Sequence, residues 1–136
     1  VSTTSNNILG FPDETRDLIF DTIELVRKLK SDDINAFTFI PYQGTSLRTM
    51  CEEKKYLDKK TLANIYETDS LLNMPSISKK EIGGLVKTFP LYTRLPRSYW
   101  KDIKIAEQDT PEGTKIFKDL ISIFRNKYSS TALARD

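Results

Sequence analysis

The sequence contains no histidine and only one cysteine, Cys51. Without histidine, this chain alone cannot form a Ser-His-Asp triad, a His-ligated zinc site or an imidazole general base. A single cysteine cannot form an internal disulfide bond, and it cannot by itself hold an iron–sulfur cluster or a structural zinc ion. Any catalysis by the isolated chain would have to use carboxylate, lysine or tyrosine side chains.

Long apolar runs and strong net charge are also missing. Lys and Arg number 21 against 19 Asp and Glu, and the net charge is only +2. We therefore expect no nucleic-acid partner, since no long basic run is available to bind phosphates. No apolar run approaches the roughly 20 residues of a spanning helix, so we expect no membrane segment. The scarcity of cysteine favours a reducing compartment, and we predict a cytoplasmic location.

The chain of 136 residues fits one domain, and it opens with a strand, a turn and a helix. The strand becomes apolar as it ends at Leu9, and Gly10 then allows a backbone conformation closed to most residues. Pro12 blocks further sheet pairing. A helix follows over residues 15–29, with an apolar face on one side and charged residues mostly opposite. The predicted apolar face comprises Leu18, Ile19, Thr22, Ile23, Val26 and Leu29.

A second unit of the same kind follows. Residues 34–40 predict a strand, Pro41 ends it, and Gly44 precedes a helix over residues 44–54. Two such units joined by one helix predict a βαβ crossover with parallel strands. Ligands of parallel sheets bind beyond the carboxyl ends of the strands, so both turns are candidate binding sites. The predicted buried edge of the second helix comprises Leu47, Met50 and Cys51.

The remainder of the chain reads mostly as helices. The pattern weakens over residues 55–74, where residues 61–66 fit either a helical turn or an edge strand, and that alternative stays open. A capping box at residues 78–81 begins a third helix, in which Pro90 predicts a kink or a stop. Pro96 suits the first turn of a short helix that runs to about Ala106, and Thr110 precedes the last helix.

Two strands do not form a stable parallel sheet by themselves. The sheet would have to be completed by residues 55–74, by chain that is absent here, or by a second copy. A strand at the very start of the sequence also suggests a segment cut from a longer protein. We therefore expect an incomplete domain.

The two turns resemble motifs of radical S-adenosylmethionine (radical SAM) enzymes. Residues 6–16 read N-N-I-L-G-F-P-D-E-T-R and resemble the fifth-strand motif G-x-I-x-G-x-x-E, closest to the variant I-G-x-P-G-E-T. Residues 39–47 read F-I-P-Y-Q-G-T-S-L and are similar to the sixth-strand motif F-x-P-Y-P-G-T-x-L. The second motif is most like the branch whose members carry a cobalamin-binding domain. Residues 89–100 resemble the helical region that follows the barrel in that branch.

This resemblance implies that the chain is a C-terminal fragment of a radical SAM enzyme. The expected fold is α/β: a partial (β/α) barrel fragment of order β-α-β-α, followed by a helical C-terminal extension. Residues 1–57 would hold the barrel strands and helices, and residues 58–128 the extension. Residues 129–136 would be a frayed tail.

The family binds a [4Fe-4S] cluster through C-x-x-x-C-x-x-C after its first strand, and this sequence lacks that motif. Cys51 cannot replace it. The parent enzyme would use S-adenosylmethionine and the cluster, whereas this chain would bind no metal and be inactive alone. The resemblance leaves open whether the parent uses cobalamin. The sequence also departs from the motifs at Asn6 and Asp13, where the family has glycine, and at Gln43, where it has proline.

Carried over residue by residue, the resemblance implies a cofactor-binding set and no catalytic residue. The set comprises Ile8, Gly10, Glu14, Ile40, Pro41 and Tyr42. Ile8 would lie against the adenine, and Gly10 would let the chain pass close to the nucleoside. Glu14 would brace its turn by accepting backbone hydrogen bonds. Ile40, Pro41 and Tyr42, at the end of the second strand, would border the adenine from the other side.

Simpler interpretations stand beside this one. Each turn can be an ordinary strand-to-helix connection, and Cys51 a small buried side chain. The chain can be a non-catalytic α/β interaction module that docks a partner through its aromatic helices. A weaker alternative is a small nucleotide-binding domain that uses helix amino ends. The expected partner is the missing N-terminal part of the same protein or, through self-association, a second copy.

Overall fold

The structure is a computed structural model that describes residues 1–133, with side chains up to Lys127. The described residues form a mixed α/β fold with five α-helices and a small parallel sheet of two strands. The elements in chain order are β1 (Thr4–Leu9), α1 (Arg16–Leu29), β2 (Asp33–Thr38), α2 (Ser46–Glu53), α3 (Lys79–Arg94), a 3₁₀ turn (Arg97–Tyr99), α4 (Trp100–Ala106) and α5 (Pro111–Leu133).

The two strands pair in parallel, as the sequence predicts. The register runs from Thr4 opposite Asp33 to Leu9 opposite Thr38. The Phe39 N–H then donates to the Leu9 carbonyl over 2.7 Å, which extends the pairing by one residue. Both strands therefore end at the same edge of the sheet. Among the described residues the sheet has only these two strands, so each strand keeps one unpaired edge.

The two faces of the sheet differ in burial. Alternate residues of β1 and β2 are buried or half-buried, and the residues between them are exposed. Helix α3 packs against β2, and α1 packs against α3. On the open face, Ile8 lies beside its register partner Phe37, and these side chains are 49% and 53% exposed. Apolar side chains on this face therefore remain in contact with water.

Helix α1 begins where the sequence predicts, because the Thr15 side chain accepts a hydrogen bond from the Leu18 N–H. Its buried line is narrower than the predicted apolar face. Ile19, Ile23 and Val26 are buried, whereas Leu18 and Leu29 are about half exposed. The apolar face is only partly buried because α1 packs on α3 along one line, and these two leucines lie beside that line.

The predicted buried edge of α2 is correct only for Cys51. Leu47 and Met50 are exposed, and Arg48 is buried instead. The Arg48 guanidinium pairs with Glu52 and donates to the carbonyls of the chain around it. Because these bonds satisfy the charge, α2 turns its arginine inward and leaves two apolar side chains outside.

Helix α3 starts at the predicted capping box, where the Ser78 hydroxyl accepts from the Glu81 N–H. It does not stop at Pro90 but continues to Arg94. Burial of the turn that follows Pro90 compensates for the one hydrogen bond that proline removes, since Leu91 and Tyr92 are both 1% exposed. A predicted stop at this proline is therefore wrong.

The last helix carries residues that were predicted to fray. Helix α5 continues to Leu133, past the predicted start of the tail at Ser129, and residues 134–136 lie outside the described part. Residues 55–74 form turns and no regular helix or strand. Among the helices up to Leu133, none combines the length and apolar character that crossing a bilayer requires.

An ion-pair network joins α1, α3 and the end of α4. The Arg16 guanidinium binds both carboxylate oxygens of Glu107, over 2.7 and 2.9 Å, and also reaches Glu81 over 3.1 Å. The Tyr92 hydroxyl donates to the Glu107 carboxylate. Burial and this carboxylate together raise the pKa of Tyr92 well above its usual range. Helices α3 and α4 meet closely here, since a Cβ at Gly84 would lie 2.6 Å from the Glu107 carbonyl.

Candidate functional site

The turn after β1 is closed by a carboxylate. Gly10 has a φ of +87°, and its N–H donates to the Glu14 carboxylate over 2.5 Å. The Phe11 N–H donates to the same oxygen over 3.3 Å. The Glu14 N–H in turn donates to the Phe11 carbonyl over 3.0 Å. Glu14 thus binds the backbone of its own turn, which leaves its carboxylate engaged in structure.

Asp13 follows Pro12 in the first turn, and it has a left-handed φ of +65°. Aspartate tolerates this region better than most residues do. Its carboxylate accepts from the Tyr56 hydroxyl over 2.5 Å and pairs with Lys54. These contacts tie the first turn to the chain after α2.

The pKa values of the two adjacent carboxyls in this turn are expected to shift in opposite directions. Burial raises the pKa of Glu14, and its backbone hydrogen bonds only partly oppose that shift. The hydrogen bonds from Lys54 and Tyr56 lower the pKa of Asp13. The free energy of unfolding should therefore fall as the pH rises from the unfolded-state pKa of Glu14 to its higher folded-state pKa. The stabilisation that Asp13 provides is instead lost as the pH falls through its lowered folded-state pKa.

A carboxyl-carbon NMR titration checks this prediction directly. Glu14 should titrate above the usual glutamate range, and Asp13 below the usual aspartate range. In Glu14→Gln the fall in stability with rising pH should disappear, while Asp13→Asn should leave it in place. A Glu14 titration below the usual range would contradict the dominance of burial.

The turn after β2 has the same design with different residues. Gly44 has a φ of +83°. The Thr45 hydroxyl donates to the Tyr42 carbonyl over 2.8 Å and accepts from the Arg48 N–H over 3.2 Å, which begins α2. Arg48 also donates to the Pro41 carbonyl over 3.2 Å. Backbone and side-chain bonds therefore fix this turn at the same edge of the sheet as the first.

The two turn glycines should differ in their tolerance of alanine. At both positions a positive φ costs a Cβ-bearing residue about 1–2 kcal/mol. At Gly10 the new Cβ would also meet two carbon atoms of Ile82 at 3.2 Å, whereas at Gly44 no atom lies within 4 Å. Urea unfolding should show a larger loss for Gly10→Ala, about 2–3 kcal/mol, than for Gly44→Ala. Equal losses would show that the Ile82 contact relaxes without cost.

An open groove of about 580 Å³, here called the edge groove, lies at the carboxyl end of β2. Its walls come from both strands, from the chain just after them, from residues 65–68 and from α3. The lining residues are Ile8, Phe11, Ala36, Phe37, Thr38, Phe39, Ile40, Tyr42, Ile65, Glu67, Thr68 and Val86. Its size is ordinary for a small-molecule site, and most of its lining is apolar.

The predicted binding residues divide into two groups. Ile8, Ile40 and Tyr42 line the edge groove. Gly10, Glu14 and Pro41 do not line it; they shape the two turns behind it. The structure thus brings three of the six to one surface and leaves three in supporting positions. Their roles in cofactor binding stay predictions.

Other lining residues gave no clear sequence signal. Thr38 lies within β2 and reads as an ordinary strand residue, and Glu67 belongs to the segment whose structure the sequence left open. Arg48 holds the start of that segment through the carbonyls of Lys59 and Thr61, over 3.2 and 2.9 Å. Its only sequence signal is its place three residues before Cys51, beside the edge predicted to be buried.

Metal binding has no visible basis in residues 1–133, where no group of three or more suitable side chains could hold an ion. Cys51 is fully buried, and burial raises the pKa of its thiol, so it resembles a core side chain more than a nucleophile.

Comparison with protein-family models, with curated proteins and with solved structures gives no match to this chain.

Proposed function

We propose that this chain is the C-terminal part of a radical SAM enzyme, in which it contributes part of the adenine pocket and a helical wall of the active site. The parent would supply the [4Fe-4S] cluster from cysteines outside this chain. One observation carries the proposal: two neighbouring parallel strands end in the two motif-like turns at one edge of the sheet.

The local geometry of the turns supports this proposal. In the first turn, Glu14 binds two backbone N–H groups, a bracing role that the resemblance assigns to this position. Ile8, Ile40 and Tyr42 line one groove beyond the strands. In the proposed enzyme these three side chains would border the adenine, with Gly10 and Pro41 setting the backbone behind them.

The open surfaces of the chain fit a piece of a larger barrel. The sheet buries one face under helices and leaves Ile8 and Phe37 half exposed on the other, the face that a barrel turns inward. Leu25 and Leu29 on α1 are 56% and 57% exposed, where a neighbouring barrel helix would pack. A preceding strand would pair with the free edge of β1.

The alternative of docking through aromatic helices has less support. Phe20, Tyr92 and Trp100 pack edge to face on one another, with ring centroids 5.0–5.5 Å apart. Tyr92 is only 1% exposed. These rings hold α1, α3 and α4 together, so they offer little surface to a partner.

Binding of S-adenosylhomocysteine tests the proposal on the chain itself. We expect weak, saturable shifts of the amide resonances of Ile8, Ile40 and Tyr42 in an NMR titration. Ile8→Ala should weaken this binding several-fold through lost apolar contact. Leu25→Ala removes an equally exposed side chain from α1 and should change nothing. Shifts spread over the surface, with no effect of Ile8→Ala, would contradict the proposal.

Two further observations bear on the parent. The DNA preceding the codon for Val1 should encode C-x-x-x-C-x-x-C in the same reading frame. After treatment with iron and sulfide, the purified chain should hold no four-iron cluster by absorbance and iron analysis. A cluster that forms on this chain and cleaves S-adenosylmethionine would contradict the proposal that the cluster is bound by cysteines outside this chain.

A further inference from the structure

Thr38 carries a buried hydroxyl that has no protein partner. The residue is 8% exposed, and its Oγ1 makes no hydrogen bond within the structure. Leaving a buried hydroxyl unsatisfied costs free energy that valine, with nearly the same shape, would avoid. Thr38 also lines the edge groove. The oxygen itself has almost no accessible surface, so a rotation about the Thr38 side-chain bond would be needed to offer the hydroxyl to a molecule bound in the groove.

The charge of the groove lining indicates what kind of molecule it suits. Among the lining residues, Glu67 is the one charged side chain, and no Lys or Arg takes part. Cationic residues slightly outnumber acidic ones in the chain as a whole, so this local balance is not simply the average. An isolated carboxylate attracts N–H donors and ammonium groups and repels phosphates and carboxylates.

The remaining walls of the groove are aromatic and favour a ligand with a flat, apolar ring. The Phe11 and Phe39 rings pack with centroids 4.9 Å apart, and Phe37 and Tyr42 expose about half of their surfaces beside the groove. Aromatic walls stack on planar rings, and their faces also attract cations. A flat ring with a donor group would match all three features of this surface.

We infer that the edge groove binds a small aromatic molecule that carries an amino group, with Glu67 accepting from the ammonium and the Thr38 hydroxyl making a second hydrogen bond. The same walls select against ligands of net negative charge, such as phosphorylated compounds. The inference depends on the groove and not on the radical SAM proposal.

Three indole compounds that differ in charge test this inference on the full chain. Tryptamine carries an ammonium group, indole is neutral, and indole-3-acetate carries a carboxylate. In NMR titrations, tryptamine should bind saturably and shift the amides of Thr38, Glu67 and Tyr42. Indole should bind about tenfold more weakly, and indole-3-acetate should show no saturation.

Variants separate the two polar contacts. Glu67→Gln should weaken tryptamine about tenfold and abolish the preference for tryptamine over indole. Thr38→Val should weaken tryptamine while keeping or raising the melting temperature, because it removes an unsatisfied hydroxyl. Thr88→Val is the matched control: Thr88 is also buried, but its hydroxyl donates to the Gly84 carbonyl over 2.9 Å. This control should lower the melting temperature and leave tryptamine binding unchanged.

Equal affinity for the three indoles, no binding of tryptamine, or unchanged binding in both groove variants would overturn the inference. None of these results would test the proposed adenine pocket, which the S-adenosylhomocysteine titration tests separately. Conversely, tryptamine selectivity without S-adenosylhomocysteine binding would support the amine site and count against the adenine pocket.

Discussion

Replacing Arg16 by alanine is expected to lower the free energy of unfolding by about 3–5 kcal/mol. The Glu107 side chain is only 8% exposed, and Arg16 is its bidentate partner. Without the guanidinium, a carboxylate would stay buried with only the Tyr92 hydroxyl to satisfy it. Urea denaturation followed by circular dichroism measures the loss.

Two further variants show whether burial is the cause. The Arg97–Glu24 pair is more exposed, with side chains 63% and 35% accessible, so Arg97→Ala should cost at most about 1 kcal/mol. Replacing Arg16 and Glu107 together by methionine should recover part of the stability lost in Arg16→Ala: no charge is then left unpaired, but the buried Tyr92 hydroxyl loses its acceptor. A similar small loss for Arg16→Ala and Arg97→Ala would refute this account of the network.

Replacing Arg48 by alanine should destabilise the segment that follows α2 and make it more mobile. The Arg48 side chain is 4% exposed, and it donates to the carbonyls of Pro41, Lys59 and Thr61. Losing these charged hydrogen bonds should cost about 3 kcal/mol. Hydrogen exchange measured by mass spectrometry should accelerate most in residues 59–68, which include part of the edge-groove wall.

Lysine at the same position provides the control. Arg48→Lys keeps the charge, but one ammonium nitrogen cannot reach three separated carbonyls as a guanidinium does. It should therefore lose at least half of the stability that alanine loses. Unchanged exchange in residues 59–68 of Arg48→Ala would mean that this segment is held by other contacts.

The regular elements could be predicted because their signals are local. Thr15 and Ser78 cap helices through their own side chains, and the break after Leu9 comes from Gly10 and Pro12 within three residues. The parallel pairing also followed, since one helix between two strands permits little else. Such features depend on residues that are close together in the sequence, so they can be recognised from one sequence alone.

The groove could be predicted only in part because its other walls depend on distant contacts. Ile8, Ile40 and Tyr42 adjoin the two turns, and the resemblance of those turns to known motifs marked them as candidates. Glu67 reaches the groove through a segment with no repeating pattern. Thr38 is special only because its hydroxyl lacks a partner, a property of the folded surroundings. The inward turn of Arg48 likewise follows from carbonyls more than ten residues away.

Both strands of the sheet are edge strands, which affects whether copies of this chain aggregate at high concentration. Exposed N–H and C=O groups along a strand are a template onto which another extended segment can grow. Here they run beside Ile8 and Phe37, apolar side chains that favour such growth. We expect concentration-dependent fibril formation from this chain, and a capping strand supplied in trans should suppress it.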